Sequence, residues 1–329
     1  MSSAEKTTTG PGGPEPRRRR KGGRGGEQLM VDRVEFTSYY GRPVIKEPSW
    51  APLDIAGYFF LGGLAGAGSV LAAGAQATGR PVTARALKTG SAVAIAGSAA
   101  ALVHDLGRPE RFVNMLRVFK PTSPMSMGSW LLAGYGPAAG TAAVLALTGR
   151  LPRVGAAATA GAALLGPAVA SYTAVLAADT AVPAWHDAYR ELPFVFVGSA
   201  LAAASGLALA AAPLGENAPA RRAAVLGCAV DLVAAHAMER RLGMVAEPYR
   251  TGQAGRLMRA AQALSLAGAA GAVLLAGRHR PAAALSGLAL LAGSACTRFG
   301  VFQAGVASAR DPRYTVAPQR ARLTQATPS

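Results

Sequence analysis

Apolar residues in this chain do not alternate; they come in long blocks. From residue 53 onward there are eight, at 53–77, 84–104, 127–148, 154–177, 192–212, 222–242, 256–277 and 281–303. Each approaches the ~20 residues that a helix needs to cross hydrocarbon. Four of the breaks are short turns, among them Thr78-Gly79-Arg80-Pro81 and Gly149-Arg150-Leu151-Pro152. The connections after the second, fourth and sixth blocks are longer and richer in aromatic and acidic residues. This pattern predicts an all-α polytopic membrane protein of eight transmembrane helices in four tight hairpins. The three elaborate connections then share one face with both chain termini. In the first block Gly62 and Gly66, and Gly63 and Ala67, form small-xxx-small pairs, the spacing that lets two helices cross closely.

The polar stretches divide the rest. Residues 1–28 are poor in apolar side chains and carry the cationic run Arg17–Lys21, which reads as a disordered basic tail. The twin arginines are not read as an export signal, because no short apolar core follows them directly. Residues 29–50 read as a surface segment with Tyr39, Tyr40 and Trp50 as interfacial aromatics. Residues 51–305 form the membrane domain, and 306–329 a polar C-terminal tail.

Composition sharpens this picture. The chain is 51% hydrophobic and only 16% charged, with a mean hydropathy of +0.25, too apolar for an ordinary soluble domain. Its net charge of +17 reads as topology signals and contact with anionic lipid rather than nucleic-acid binding. Lys and Arg are concentrated on the terminal face, which predicts a multi-pass protein of the cell membrane with both termini in the cytoplasm. Cys228 and Cys296 lie in different blocks without a CxxC, so no iron–sulfur cluster is expected in this chain. His186 and His279 fall in loops, which leaves His104 and His236 as the one pair at matching depth and argues against haem. HExxH, Walker A, Rossmann and nucleophile-elbow motifs are absent, and no metal site is expected.

The remaining chemistry lies in ionisable residues near helix ends. Asp54 opens the first block, His104 and Asp105 close the second, and Tyr172 stands near the end of the fourth with Asp179 beyond it. His236 and Glu239 stand near the end of the sixth and Arg298 near the end of the eighth. All of these fall toward the terminal face; Asp231 alone sits near mid-membrane. Such groups are expensive in lipid and usually face a bundle interior. Each has a plain reading too. Asp54 could cap its helix, the histidines could be satisfied in the interior, Arg298 could snorkel to the headgroups, and Glu239 could pair with Arg240. Their convergence on one face favours a site.

Three stretches carry a family resemblance: Tyr58-Phe59-Phe60-Leu61-Gly62-Gly63-Leu64-Ala65-Gly66, Asp105-Leu106-Gly107-Arg108-Pro109-Glu110-Arg111-Phe112 and Ser123-Pro124-Met125-Ser126-Met127-Gly128-Ser129-Trp130. Weaker echoes are Tyr172-Thr173, Pro183-Ala184-Trp185, and Arg298 followed by Ala304-Gly305. With these, the chain resembles the NrfD/PsrC family of integral membrane subunits. The resemblance implies eight membrane helices, no bound redox metal, and a quinone or quinol site near the face that docks a ferredoxin-like iron–sulfur subunit. That subunit would connect to a molybdopterin or multihaem catalytic subunit. Asp54 and Tyr172 are the positions closest to the family's quinone contacts. The His or Asn that some members carry in the first helix has no counterpart here. In many members the docking face is extracytoplasmic, whereas the charge count here places that face in the cytoplasm.

The expected function is therefore a quinone-reactive membrane anchor, with menaquinone or ubiquinone as bound substrate; whether this subunit itself reduces or oxidises the quinone stays open. Asp54, His104, Arg108 and Tyr172 are the candidate quinone contacts. Asp105, Asp231, His236 and Glu239 are candidate proton relays, Asp105 and Arg108 a candidate ion pair, and Arg111, Phe112 and Arg117 candidate docking residues. The rivals are a secondary transporter or proton-translocating protein built on Asp231, and a structural anchor without a quinone site. The hairpins are regular, but no convincing internal repeat is visible.

Overall fold

Proline starts nearly every long helix, where its missing N–H is no loss and its fixed φ suits the first turn. A computed structural model describes residues 44–106 and 114–326, with side chains to residue 320. Eight long helices fill the described residues: α1 (Pro52–Ala77), α2 (Pro81–Asp105), α3 (Pro124–Thr148), α4 (Pro152–Ala178), α6 (Leu192–Ala211), α7 (Ala218–Leu242), α9 (Gly252–Leu274) and α10 (Arg280–Arg310). Two short helices, α5 (Pro183–His186) and α8 (Glu247–Arg250), lie in the long connections, and α11 (Arg313–Ala326) follows the last span. Of the eight, only α9 lacks a proline in its first two positions. Gly79 and Gly149 end α1 and α3 with φ of 70° and 68°, a left-handed conformation in which a Cβ would be strained.

Each predicted block is a helix, and the chain is an all-α polytopic membrane protein. Seven of the eight helices are long and apolar enough to cross a membrane. The exception is α7, which carries Arg221, Arg222, Asp231, Glu239, Arg240 and Arg241 yet packs along α6 and α9. Helix α10 runs to Arg310, past the 303 predicted from the sequence. Ala304, Gly305, Ser308 and Ala309 in that extension are buried, and Trp185 of α5 lies against it.

The helices form two bundles with the same adjacency. In the first, α1 packs on α2 and α4, and α3 packs on α4 and α2; in the second, α6 packs on α7 and α10, and α9 packs on α10 and α7. This is the internal repeat that the sequence reading did not find. Each bundle closes its first and fourth helices through glycine. A Cβ on Gly66 or Gly166 would fall 2.4 Å from the other's carbonyl oxygen; on Gly206 or Gly287 it would fall 2.5 or 2.3 Å from its counterpart's. Backbones this close gain dispersion contacts that no larger residue allows. The glycine-spaced pairs of α1 thus serve packing: Gly62 faces Ser98 of α2, Gly66 faces α4, and Gly63 faces Ala200 of α6 and Arg298 of α10.

Candidate functional site

The start of α1, the end of α2, the start of α3 and the end of α4 meet at one level. Between them lies a cavity of about 80 Å3, lined by Trp50, Tyr58, Asp105, Met115, Gly128 and Tyr172 among others. Tyr58 is buried, with 2% of its surface exposed, and Tyr172 is half-buried. Neither phenol oxygen is bonded to another described residue, and neither is among the fully buried polar atoms left without a partner. Ser98 Oγ donates to the Tyr58 carbonyl at 3.2 Å and fixes that turn of α1. The Tyr172 ring lies over Gly128, where a Cβ would stand 2.0 Å from its hydroxyl. Ser129 is held in place by donating to the Met125 carbonyl at 3.0 Å.

Trp50 stacks on Trp185 with ring centroids 5.7 Å apart. Trp185 Nε1 donates to the Val301 carbonyl at 2.8 Å, and its ring fills the space over Gly305 that a Cβ would need. The two weaker echoes of the family pattern, Pro183-Ala184-Trp185 and Ala304-Gly305, therefore touch.

The structure separates the residues singled out from the sequence. Tyr172 and Asp105 line the cavity. Asp105 Oδ1 accepts from the Ala51 N–H at 2.9 Å and ties the start of α1 to the end of α2. Asp54 and His104 face each other instead, His104 Nδ1 lying 2.8 Å from Asp54 Oδ2, with the histidine side chain 81% exposed. They stand at the rim, one residue along each helix from the lining residues Ile55 and Asp105. Arg108, Arg111 and Phe112 lie outside the described residues, as does any pairing of Asp105 with Arg108. Arg117 is exposed on the terminal face. Tyr58 had no assigned role in the sequence reading; its position four residues after Asp54, on the same helix face, was the available signal.

The proposed relay residues of α7 do not meet. His236 is exposed, and Glu239 accepts from Arg250 Nε at 2.8 Å. Asp231, 6% exposed, faces the interior, and it is the charged group that acts on Arg298. Arg298 does not snorkel. Because α10 extends to Arg310, Arg298 falls in mid-helix and is fully buried. Its Nη2 donates to the Phe196 carbonyl at 2.6 Å, and its guanidinium lies 3.7 Å from the centre of the Phe196 ring. Nε and Nη1 have no partner among the described residues. A buried cation with two orphaned donors within electrostatic reach of a buried carboxylate is costly, and inside a membrane protein such groups mark function more often than packing.

Among the described residues, no three His, Cys, Asp or Glu side chains come together as metal ligands. None of the curated proteins compared with the chain matches it. The family described as polysulphide reductase, NrfD, matches residues 46–222, more than half of the chain. That span contains every lining residue of the cavity. The chain therefore belongs to the NrfD family, membrane subunits of polysulphide-reductase-type complexes.

Proposed function

We propose that this subunit exchanges electrons between a partner iron–sulfur protein and a quinone held in the cavity beneath the terminal face. The observation that carries the reading is the pair of phenols, Tyr58 and Tyr172, which line one aromatic-walled cavity of an NrfD-family chain and bond to no other described residue. Each phenol can donate a hydrogen bond to a quinone carbonyl. At about 80 Å3 the cavity takes two or three waters of ~30 Å3 each, so the quinone ring enters by moving the flexible tips of Met115 and Met125. Reduction to the quinol takes two electrons from the partner and two protons. Asp105 in the wall, with the Asp54–His104 pair at the rim, supplies a proton route from the terminal face. Menaquinone and ubiquinone present the same two carbonyls to these groups. Arg117 and the neighbouring loop form the surface for the iron–sulfur partner, which passes electrons to or from a molybdopterin or multihaem catalytic subunit.

The test is quinone-linked turnover of the assembled complex. Tyr172→Phe and Tyr58→Phe keep the rings and remove the donors. Each should lower turnover or raise the apparent KM by about tenfold, the worth of roughly 1–1.5 kcal/mol of hydrogen bonding, with assembly unchanged. Asp179→Asn, on the exposed surface, should match wild type. Unchanged kinetics in both tyrosine variants would remove the quinone from this cavity. A loss with Asp231→Asn alone would move the chemistry to the Asp231–Arg298 pair and favour proton translocation.

A further inference from the structure

The face opposite the termini carries two adjoining grooves, of about 480 and 250 Å3, between the α1–α2 and α3–α4 turns. They share Gln76, Lys88 and Ala146. Arg80 and Arg85 line the larger and Arg150 the smaller, while no carboxylate lines either. These turns join membrane-spanning helices, so the grooves lie at headgroup level. Lys88 is deeper: seven residues into α2, it sits about 10 Å below the helix start. A lysine at that depth is costly without a counter-charge, yet among the described residues its Nζ bonds only the neutral Gln76 side chain.

The other cations are equally unanswered. None of the four forms an ion pair among the described residues. Arg80 Nη1 reaches the Thr78 carbonyl at 3.2 Å, while its buried Nε has no partner among the described residues. Glu216 is the carboxylate that acts on Arg80, but it is occupied by the N–H groups of Val82 and Thr83 and by the Thr83 hydroxyl. The second bundle differs on the same face. Arg221 spends its donors on the Ala272 and Val273 carbonyls at the end of α9, and Arg280 on Leu209 and Ala210 at the end of α6. There Arg221 and Arg280 are answered by backbone carbonyls, although Arg222 and Arg278 have no such bond; in the first bundle none of the four cations lining the grooves has an ion pair among the described residues.

We propose that this groove binds the phosphate headgroup of an anionic phospholipid. The phosphodiester sits among Arg80, Arg85, Lys88 and Arg150, and an acyl chain lies along the outer face of α3, where Val144 and Leu147 are each 57% exposed. Groups of basic side chains between membrane helices attract such headgroups, through charge and through the apolar wall beneath.

The experiment uses the full chain, purified in detergent and stripped of lipid, with bound lipid read by native mass spectrometry. Phosphatidylglycerol should bind and phosphatidylcholine should not. Arg85 and Arg150 are exposed, so Arg85→Gln and Arg150→Gln leave the fold intact, as an unchanged melting temperature in phosphatidylcholine would verify. Each should weaken phosphatidylglycerol about fivefold and the double variant about 25-fold, the effect expected of one basic group near a lipid surface. Arg256→Gln on the terminal face should have no effect. Equal binding of phosphatidylcholine, or wild-type retention of phosphatidylglycerol by the double variant, overturns the proposal. Inorganic phosphate that displaces phosphatidylglycerol at equal concentration would also overturn it, in favour of a free-anion site.

Discussion

At the scale of single residues, Gly128 decides the geometry of the cavity. It lies in the second turn of α3, and the Tyr172 ring occupies the place of its missing side chain. The atoms in the way of a Cβ are the tip of a side chain, so the ring can swing aside at a cost within the roughly 1–3 kcal/mol of ordinary overpacking. Gly128→Ala should therefore assemble, melt slightly earlier, and show quinone-linked turnover impaired at least as much as Tyr172→Phe. Turnover at wild-type level would mean that the position of Tyr172 is immaterial. The sequence pointed to Tyr172 and to the Ser-Met-Gly-Ser run separately; nothing in either indicated that they touch. It also placed Asp54 and His104 at the correct level without revealing that they face each other rather than the cavity. Depth follows from counting along a helix, but direction depends on which neighbour the helix packs against.

At the scale of elements, helix length corrected the largest single misreading. Ending the last span at 303 places Arg298 near the membrane surface; the observed end at Arg310 places it in mid-helix, within electrostatic reach of Asp231. The extension is tertiary in origin, since Trp185 from a separate connection supplies its packing. A second tie between elements is charged. Arg241 at the end of α7 bonds both Glu191 oxygens at the start of α6, each at 2.5 Å. The hydrogen bonds from Arg241 hold the Glu191 carboxyl below its ordinary value of 4.5. A depressed carboxylate contributes stability that is fully present above that ordinary value and is lost as pH falls through the folded one. Wild type should therefore melt above Glu191→Gln by an amount worth roughly 1 kcal/mol near pH 7. That difference should close as pH is lowered below about 4.5. A gap of constant size down to pH 3 in detergent would show that the ion pair is not its source.

At the scale of the whole molecule, one face is elaborate and the other is plain, and the two halves repeat. The elaborate face carries the cavity and the long connections, while the plain face carries the tight turns and the basic grooves. The Lys and Arg count predicts that the elaborate face is cytoplasmic. A phosphatase fused after Ser329 should then be inactive, and a fluorescent protein fused there should be bright. An active phosphatase would put the cavity and its partner outside the cytoplasm, as in many relatives. The repeat changes the weight of the transporter reading, because a missing repeat had counted against it. Its only trace in the sequence is a glycine at each crossing, in a chain with 40 glycines.

The sequence by itself determined the all-α class, the number and order of the long helices, the hairpin turns and the family, because each rests on local signals: block length, proline at helix starts, glycine at helix ends, and contiguous motifs. Apart from Arg298, whose helix runs past the expected end, it also determined which polar groups stand near the terminal face, since a helix advances by a constant rise. Tertiary structure alone decided which of them meet. It turned Tyr58 and Tyr172 into one cavity and Asp54 and His104 toward each other at the rim. It brought Asp231 of α7 within electrostatic reach of Arg298 of α10 and left Lys88 opposite a neutral amide. Those outcomes depend on helix rotation and crossing. In so alanine- and glycine-rich a chain, rotation and crossing are set by backbone contacts on several faces at once, and no strong apolar stripe marks them in the sequence.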